Sequence, residues 1–385
     1  MKKALFVSTI ISFLGAFETG DIQILQRMGY AVHIACNCKE YSTIEKVKLL
    51  EELRVIKHDI PFSRTPLSVS NLKAYAELKT LLKEEKFELI HCHTPVGGVL
   101  GRLAANSVGV KNVIYTAHGF HFYNGAPMKN WILFYPLEKW LSRYTDILIT
   151  INREDYERAL KKFHAKHTVY VPGVGIDTKK FGLDTEGERI RKEVGILSDR
   201  VMLLSVGELN QNKNHEAVIN AIVGMENITY VVVGDGPLHD YLKQMAIKRN
   251  VDVRFMGYRN DVADFYDAAD IYILPSIREG LNVSLMEAMA SGLPCLVGNI
   301  RGNIDLIDED KGGYLFNPFS IESIRDTIKK AVANNSLCLF GLYNRERIKN
   351  FDGAKVKEAA ERAYDASCIA TESSAVGGYQ GNWQK

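Results

Sequence analysis

The sequence predicts an α/β fold made of two doubly wound, Rossmann-like domains in tandem, and three observations predict it. At 385 residues the chain exceeds the length at which one hydrophobic core stops growing, so two domains are expected. Short β-branched runs alternate with amphipathic segments along almost the whole chain, and continuous apolar runs are what strands buried on both faces of a parallel sheet require. The alternation breaks once near the middle, at the Gly- and Pro-rich stretch "VYVPGVGIDTKKF", 169–181, which reads as a connector.

The first series runs "ALFVST", a helix over 18–28, "AVHIAC", "RVIKHDI", a helix over 69–85, "ELIHCH", a helix over 98–108, "NVIYTAHG" and "DILITI". The opening "MKKALFVSTIISFLGAF" starts as a secretory signal does, with two lysines and an apolar run. Ser8, Thr9 and Ser12 interrupt that run and no A-x-A site follows, so it reads as a first buried strand. The second series runs "VMLLSVGEL", helix 215–224, "ITYVVVGDGP", helix 238–249, "VRFMGY", helix 261–268, "DIYILPS", helix 283–291, "PCLVGN" and "GGYLF". The expected boundaries are 1–168 and 169–345, then a helix over 346–366 returning towards the first domain, and a polar Gly/Ser-rich tail, 367–385, expected to be disordered. No apolar stretch approaches the ~18 residues that a spanning helix needs.

Composition excludes several classes. Hydrophobic residues at 46% and charged residues at 24% rule out a disordered or fibrous chain. The net charge of +2 hides an asymmetry: residues 1–170 carry 23 Lys+Arg against 16 Asp+Glu, hence +7, and the remainder is −5. A basic half suits anionic partners such as acidic lipid or a phosphorylated substrate, while the lack of a dense Lys/Arg run argues against nucleic acid. The six cysteines form no C-x-x-C pair, which fits a reducing cytoplasm. In "HCH", 91–93, strand alternation turns Cys92 away from both histidines, and zinc needs three or four converging ligands. "DED" at 308–310 reads as an acidic solvated turn, so no divalent metal is implied. "VVVGDGPL", 231–238, lacks the third glycine of a dinucleotide fingerprint, and Pro237 reads as a helix start, so no cofactor is called for.

In open α/β sheets ligands bind beyond the carboxyl ends of strands, and two such domains facing each other form a cleft. "SVGELNQNKNH", 205–215, leaves a strand at Gly207 and enters a helix near His215, with Lys213 just ahead. A glycine-permitted turn, free amides and an ammonium suit an anionic phosphate, although a capped turn with a solvated lysine has the same spelling. "SIREGLNVSLMEAMASGLP", 276–294, sets Glu279 and Glu287 eight positions apart around a helix start. Glu287, among apolar neighbours, must be exposed or given donors, and the helix start offers unpaired N–H groups to an anion. The alternative is an acid near a favourable dipole and a second acid facing solvent.

The E-x7-E pair inside "PSIREGLNVSLMEAMASGLP" closely resembles the signature of family 4 retaining glycosyltransferases of the GT-B fold. "VGELNQNKNH", "HTPVGGVLGRLAA" and "YTAHGFHFYNG" are similar to the bacterial capsular and exopolysaccharide subset, and the likeness covers roughly 1–365. The resemblance implies that Glu287 binds the ribose hydroxyls of a sugar nucleotide, and that Glu279 with the Gly280, Leu281 and Asn282 backbone contacts the donor sugar. Lys213 is similar to the diphosphate-binding lysine, in the loop that also holds Gly207 and Glu208. Gly15, in the loop after the first strand, resembles the glycine approaching the phosphates from the other domain, and His118 the histidine near the reacting centre. Glu208 departs from the pattern, since many relatives carry Arg there, which puts a second cation on the diphosphate in doubt. "GELN" is itself similar to the exopolysaccharide subset.

The resemblance further implies metal-independent, retaining transfer of a hexose or N-acetylhexosamine from a UDP-sugar to a lipid-linked or polysaccharide precursor, in the cytoplasm or on the inner face of the cell membrane. The departing phosphate oxygen takes the acceptor proton on the same face. Two other readings share these residues: a GT-B-like sugar-nucleotide epimerase, which needs no acceptor, and a non-catalytic sugar-nucleotide-binding subunit, against which Glu279, Lys213 and His118 argue. Finally, "MKNWILFYPLEKWLSRY", 128–144, mixes Trp131, Phe134, Tyr135 and Trp140 with Lys129, Lys139 and Arg143, a composition suited to docking on an anionic bilayer. Alternatively Pro136 starts an internal helix whose aromatics pack on the sheet.

Overall fold

The computed structural model describes residues 2–39, 44–173, 175–181 and 186–375. The chain divides into two compact units, Met1–Val174 with Ala354–Lys385, and Gly175–Gly353.

The first unit holds seven parallel strands: β1 (Lys2–Ile10), β2 (Tyr30–Asn37), β3 (Ile56–Asp59), β4 (Leu89–Cys92), β5 (Asn112–Ala117), β6 (Ile147–Thr150) and β7 (His167–Tyr170), in the order β3-β2-β1-β4-β5-β6-β7. Successive residues of β1 serve opposite faces: Ala4 and Phe6 pack into one core cluster with Ile34, Ile114 and Ile149, whereas Leu5 and Val7 join Ala35, Ile90 and Tyr115 in another. Both faces are covered, which is why these strands read as unbroken apolar runs.

The second unit repeats the design with β8 (Val201–Val206), β9 (Ile228–Val233), β10 (Val253–Phe255), β11 (Ile271–Leu274), β12 (Cys295–Gly298) and β13 (Gly313–Phe316), in the order β10-β9-β8-β11-β12-β13. In each sheet the strand order reverses once, between β1 and β4 and between β8 and β11. A crevice opens beyond the carboxyl ends of strands at such a reversal.

Glycines let the helix Pro95–Val108 lie close on its sheet. A Cβ on Gly98 would run into the Tyr115 ring and one on Gly101 into Cys92 Sγ. From that helix the buried Arg102 reaches Glu138 Oε2 at 2.8 Å, donates to the Gly98 carbonyl and stacks over Tyr115, 3.9 Å from the ring centroid. This pair clamps the helix Met128–Leu141 in place.

Several expectations need correction. His167–Tyr170 is a strand, paired with β6, so the connector begins later than 169 and the first unit extends to Val174. The helix expected over 346–366 is broken. Leu337–Ile348 ends in a short 3-10 turn, Lys349–Phe351, and a second helix starts at Gly353. Between them Asp352 is extended and bridges Ile176, because the chain there pairs with the segment entering the unit. The last helix runs to Ala375, nine residues into the expected tail, and residues 376–385 lie outside those described. Its buried Val356, Ala360, Ala363 and Tyr364 complete the core over Ile22 and Leu25. Pro136 does not start a helix but lies inside Met128–Leu141. Among the described residues no helix is long and apolar enough to cross a membrane.

Candidate functional site

In the second unit, β8 and β11 are neighbours, and that adjacency brings together loops 66 positions apart in sequence. After β8 the chain turns at Gly207, where φ is +156° and the Lys213 side chain lies 3.3 Å from where a Cβ would stand. A side chain at 207 would therefore push Lys213 aside. Asn214, in the left-handed region at φ +55°, donates from Nδ2 to the carbonyls of Pro275 and Pro318, fastening this loop to those after β11 and β13. Buried His215 begins the next helix and hydrogen-bonds Tyr230 OH at 2.8 Å; burial pushes it down to about 4, with Lys213 adding to the effect.

Lys213 Nζ meets Glu279 Oε1 at 2.8 Å, with both side chains mostly buried. The two loops are stitched on either side of that pair: Ile277 N–H donates to the Asn212 carbonyl, and Asn212 Nδ2 to the Arg278 carbonyl. Gly280 packs its carbonyl on Gly302, whose φ of +82° and missing Cβ make room. Asn282 caps the helix Val283–Ala290, its Oδ1 accepting from Leu285 N–H at 3.0 Å. Leu281 packs against the core beside it. Glu208 is exposed and accepts from Asn210.

Glu287 follows one turn into that helix and faces Tyr266, whose hydroxyl donates to Oε2 at 2.9 Å. Burial raises its pKa above the usual carboxylate range; the Tyr266 bond and the charge of Lys180 pull partly the other way. Neither Tyr266 nor Lys180 carried a sequence signal, since Tyr266 has the spelling of an ordinary core aromatic. Asp308 and Asp310 of "DED" are engaged by Arg347 and Lys330, in keeping with a structural turn.

In the first unit, Gly15 is not in a loop. β1 passes straight into the helix Ile11–Phe17, because Ile11 and Leu14 are drawn into the core and the chain winds to bury them. A role for Gly15 at the phosphates thus rests on family resemblance alone. His118 follows β5, packed edge-on against Phe13 at 4.9 Å. Beside it stand Glu18, which ends the helix Ile11–Phe17 and carries no sequence signal, and His93, directly after β4, from the "HCH" that alone offers too few ligands for zinc. Glu18 Oε1 lies 3.2 Å from His118 Nε2 and 3.3 Å from His93 Nδ1. Beneath them, Asp21, Tyr364, His91 and Thr116 form a hydrogen-bonded chain with links of 2.7 to 2.9 Å. Burial pushes His91 down to about 3, so it is neutral.

An ammonium held by a carboxylate, beside a capped helix start and a second acid one turn on, at the reversal point of a parallel sheet, has the chemistry to receive an anion and hydroxyl groups. The family described as "Glycosyl transferases group 1" matches residues 186–349, and "Glycosyl transferase 4-like" matches 10–152. EpsD of Bacillus subtilis (strain 168) is 35% identical over 379 residues, covering 95% of this chain and 97% of that protein. The Escherichia coli UDP-Gal:alpha-D-GlcNAc-diphosphoundecaprenol alpha-1,3-galactosyltransferase is 30% identical over 295 residues, covering 73% and 76%. Among solved structures, Anabaena Alr3699/HepE in complex with UDP and glucose superposes with a TM-score of 0.76 at 17% identity, over 96% of this chain and all of that one. The chain belongs to the group 1, family 4-like glycosyltransferases, and its fold is GT-B.

Proposed function

We propose that the protein is a retaining transferase that moves a hexose or N-acetylhexosamine from a UDP-sugar to a lipid-linked or polysaccharide precursor of a cell-surface polysaccharide. The observation that carries this reading is the Lys213–Glu279 pair at the β8/β11 reversal. Lys213 and the loop amides take the diphosphate, with Gly207 giving the backbone close access and Glu208 beside it. Glu279 and the Gly280-Leu281-Asn282 backbone take the sugar, and Glu287 takes the ribose. His118 is assigned, by its likeness to the family's histidine, a place near the reacting centre. The Escherichia coli relative, named for a UDP-Gal donor and a diphosphoundecaprenol acceptor, supports both ends of the reaction. As the C–O bond to the leaving diphosphate breaks, negative charge grows on that oxygen, which Lys213 stabilises more in the transition state than in the ground state. The same oxygen receives the acceptor's proton, so the new bond forms on the face the old one left. Mass spectrometry of UDP-sugars incubated with the protein, with and without lipid-diphosphate acceptors, tests the reading. UDP released only with acceptor supports transfer; conversion of the sugar without acceptor supports an epimerase instead.

Glu287→Ala is expected to weaken UDP binding about tenfold to a hundredfold, the scale of losing hydrogen bonds to a charged group. Because ribose hydroxyls donate to the ionised carboxylate and its pKa is raised, affinity should fall as pH drops, starting above the usual carboxylate range. Calorimetric titration across pH checks this, and Glu287→Gln should flatten the profile.

Membrane docking by 128–144 takes a different form from the aromatic one expected. Trp131, Phe134 and Tyr135 pack inward, while Met128, Ile132, Leu133, Leu137 and Trp140 are exposed along one helix with Lys129 and Arg143 exposed beside them. That surface combines insertable side chains with flanking cations. Sedimentation with vesicles rich in anionic lipid should show binding that weakens with salt, and Ile132→Glu with Leu133→Glu should abolish it. Failure to bind at low and high salt alike would sink the docking model and leave the transferase reading intact.

A further inference from the structure

Pairwise hydrogen bonding accounts for only one edge of the meeting of Glu18, His93 and His118, the long contact of His93 Nδ1 with His118 Nε2. Glu18 Oε1, His93 Nδ1 and His118 Nε2 form a triangle with edges of 3.2, 3.3 and 3.4 Å. Each edge exceeds the ~2.7 to 2.9 Å of a charge-assisted N–H···O bond. A ring N–H points along one in-plane direction and serves one partner well, yet each nitrogen here has two equidistant neighbours. Glu18 Oε1 is buried and has no hydrogen-bond partner among the described residues, although His118 Nε2 and His93 Nδ1 lie 3.2 and 3.3 Å from it. A buried carboxylate oxygen without a donor is costly unless something else satisfies it.

The same edges are those of a metal tetrahedron. With bonds of about 2.0 to 2.1 Å to nitrogen and oxygen, ligand atoms around tetrahedral zinc stand about 3.3 to 3.4 Å apart. Two imidazoles and one carboxylate are a known zinc donor set, leaving one position for water. His93 and His118 directly follow the adjacent strands β4 and β5, and Glu18 ends the helix Ile11–Phe17 that leaves the neighbouring β1, so the sheet sets two donors and that helix brings the third to them. "HCH" alone could not reveal this, because two of the three donors come from elsewhere in the chain.

We propose that Glu18, His93 and His118 form a binding site for zinc or a zinc-like divalent cation, with water as the fourth ligand. Glu18 and His93 are buried, whereas the His118 side chain keeps 22% of its surface exposed, which gives the ion a way in. His93 Nε2 is buried without a partner, so the site lacks the outer hydrogen bond that commonly contributes about 10–100-fold to metal affinity. Binding of moderate strength, readily reversed by chelators, follows. One consequence rests on the assignment of His118 to the reacting centre: an ion there occupies the nitrogen that His118 would offer to the reaction, so zinc inhibits transfer and EDTA relieves it.

The test uses full-length protein stripped with chelator and titrated with Co²⁺ alone, followed by visible absorption. A one-to-one, intense d–d spectrum of four-coordinate Co²⁺, displaced by Zn²⁺, is expected. Glu18→Gln and His118→Gln should each weaken binding at least tenfold, with thermal melting used to show that both remain folded. Absence of a four-coordinate spectrum at millimolar Co²⁺, or unchanged affinity in both folded variants, overturns the site and leaves the triangle a hydrogen-bonded cluster. Binding without inhibition of transfer would keep the site and reject the placing of His118 at the reacting centre.

Discussion

Glu279→Ala is expected to lower turnover by about a hundredfold or more, the scale of removing one preorganised transition-state contact. Two losses coincide in that variant. The proposed contact to the donor sugar goes, and Lys213 loses the carboxylate that holds its ammonium at 2.8 Å in a mostly buried position. Glu279→Gln separates them, because the amide keeps an acceptor for Lys213 and for a sugar hydroxyl but not the charge. Its turnover should fall between those of wild type and the alanine variant. Donor affinity should change less than turnover, the reverse of Glu287→Ala, since one residue is assigned to the reacting sugar and the other to the ribose. Single-turnover rates and donor titrations on both variants check the division. Equal losses of turnover with unchanged donor affinity in both would contradict it.

The parts of this molecule legible in sequence are those that report on local environment. "ALFVST", "DILITI" and "ITYVVVG" are apolar without alternation because both faces of a parallel sheet are covered, and each is a strand. The E-x7-E spacing likewise depends on one turn and one helix, so Glu279, Asn282 and Glu287 could be placed from the sequence nearby. What could not be read depends on which strands are neighbours. Lys213 meets Glu279 only because β8 lies beside β11, and Glu18 meets His93 and His118 only because β1, β4 and β5 are adjacent. Gly15 was misplaced for a related reason: "ISFLGAF" has no helix cap and a glycine near its end, yet burial of Ile11 and Leu14 decides its conformation. Tertiary burial likewise carries the helix Met128–Leu141 through Pro136, against local preference, since Trp131, Phe134 and Tyr135 pack on the core before it and Glu138 pairs with the buried Arg102 after it.

Lys213→Ala is expected to remove most transfer activity, by about a hundredfold to a thousandfold in turnover, while wild-type activity persists in EDTA. Leaving diphosphate must be stabilised by some positive charge. In the second unit, Lys213 stands over Gly207 where a diphosphate would meet the loop, and Glu208 occupies the position at which the family resemblance leads one to expect Arg. Loss of Lys213 therefore removes its ammonium from beside the loop amides, and it also leaves Glu279 mostly buried without that partner, which adds repulsion towards an incoming diphosphate. The second effect should appear as weaker donor binding, the first as slower chemistry, and Lys213→Ala/Glu279→Gln should recover part of the binding but not the rate. Lys213→Arg should retain more activity than Lys213→Ala, though its planar fork fits the space over Gly207 less well than an ammonium. Initial rates with the identified donor and acceptor, measured after exhaustive chelation and again after Mn²⁺ addition, decide the matter. Activity that disappears with EDTA and returns with Mn²⁺ would show that a metal, and not Lys213, neutralises the leaving group.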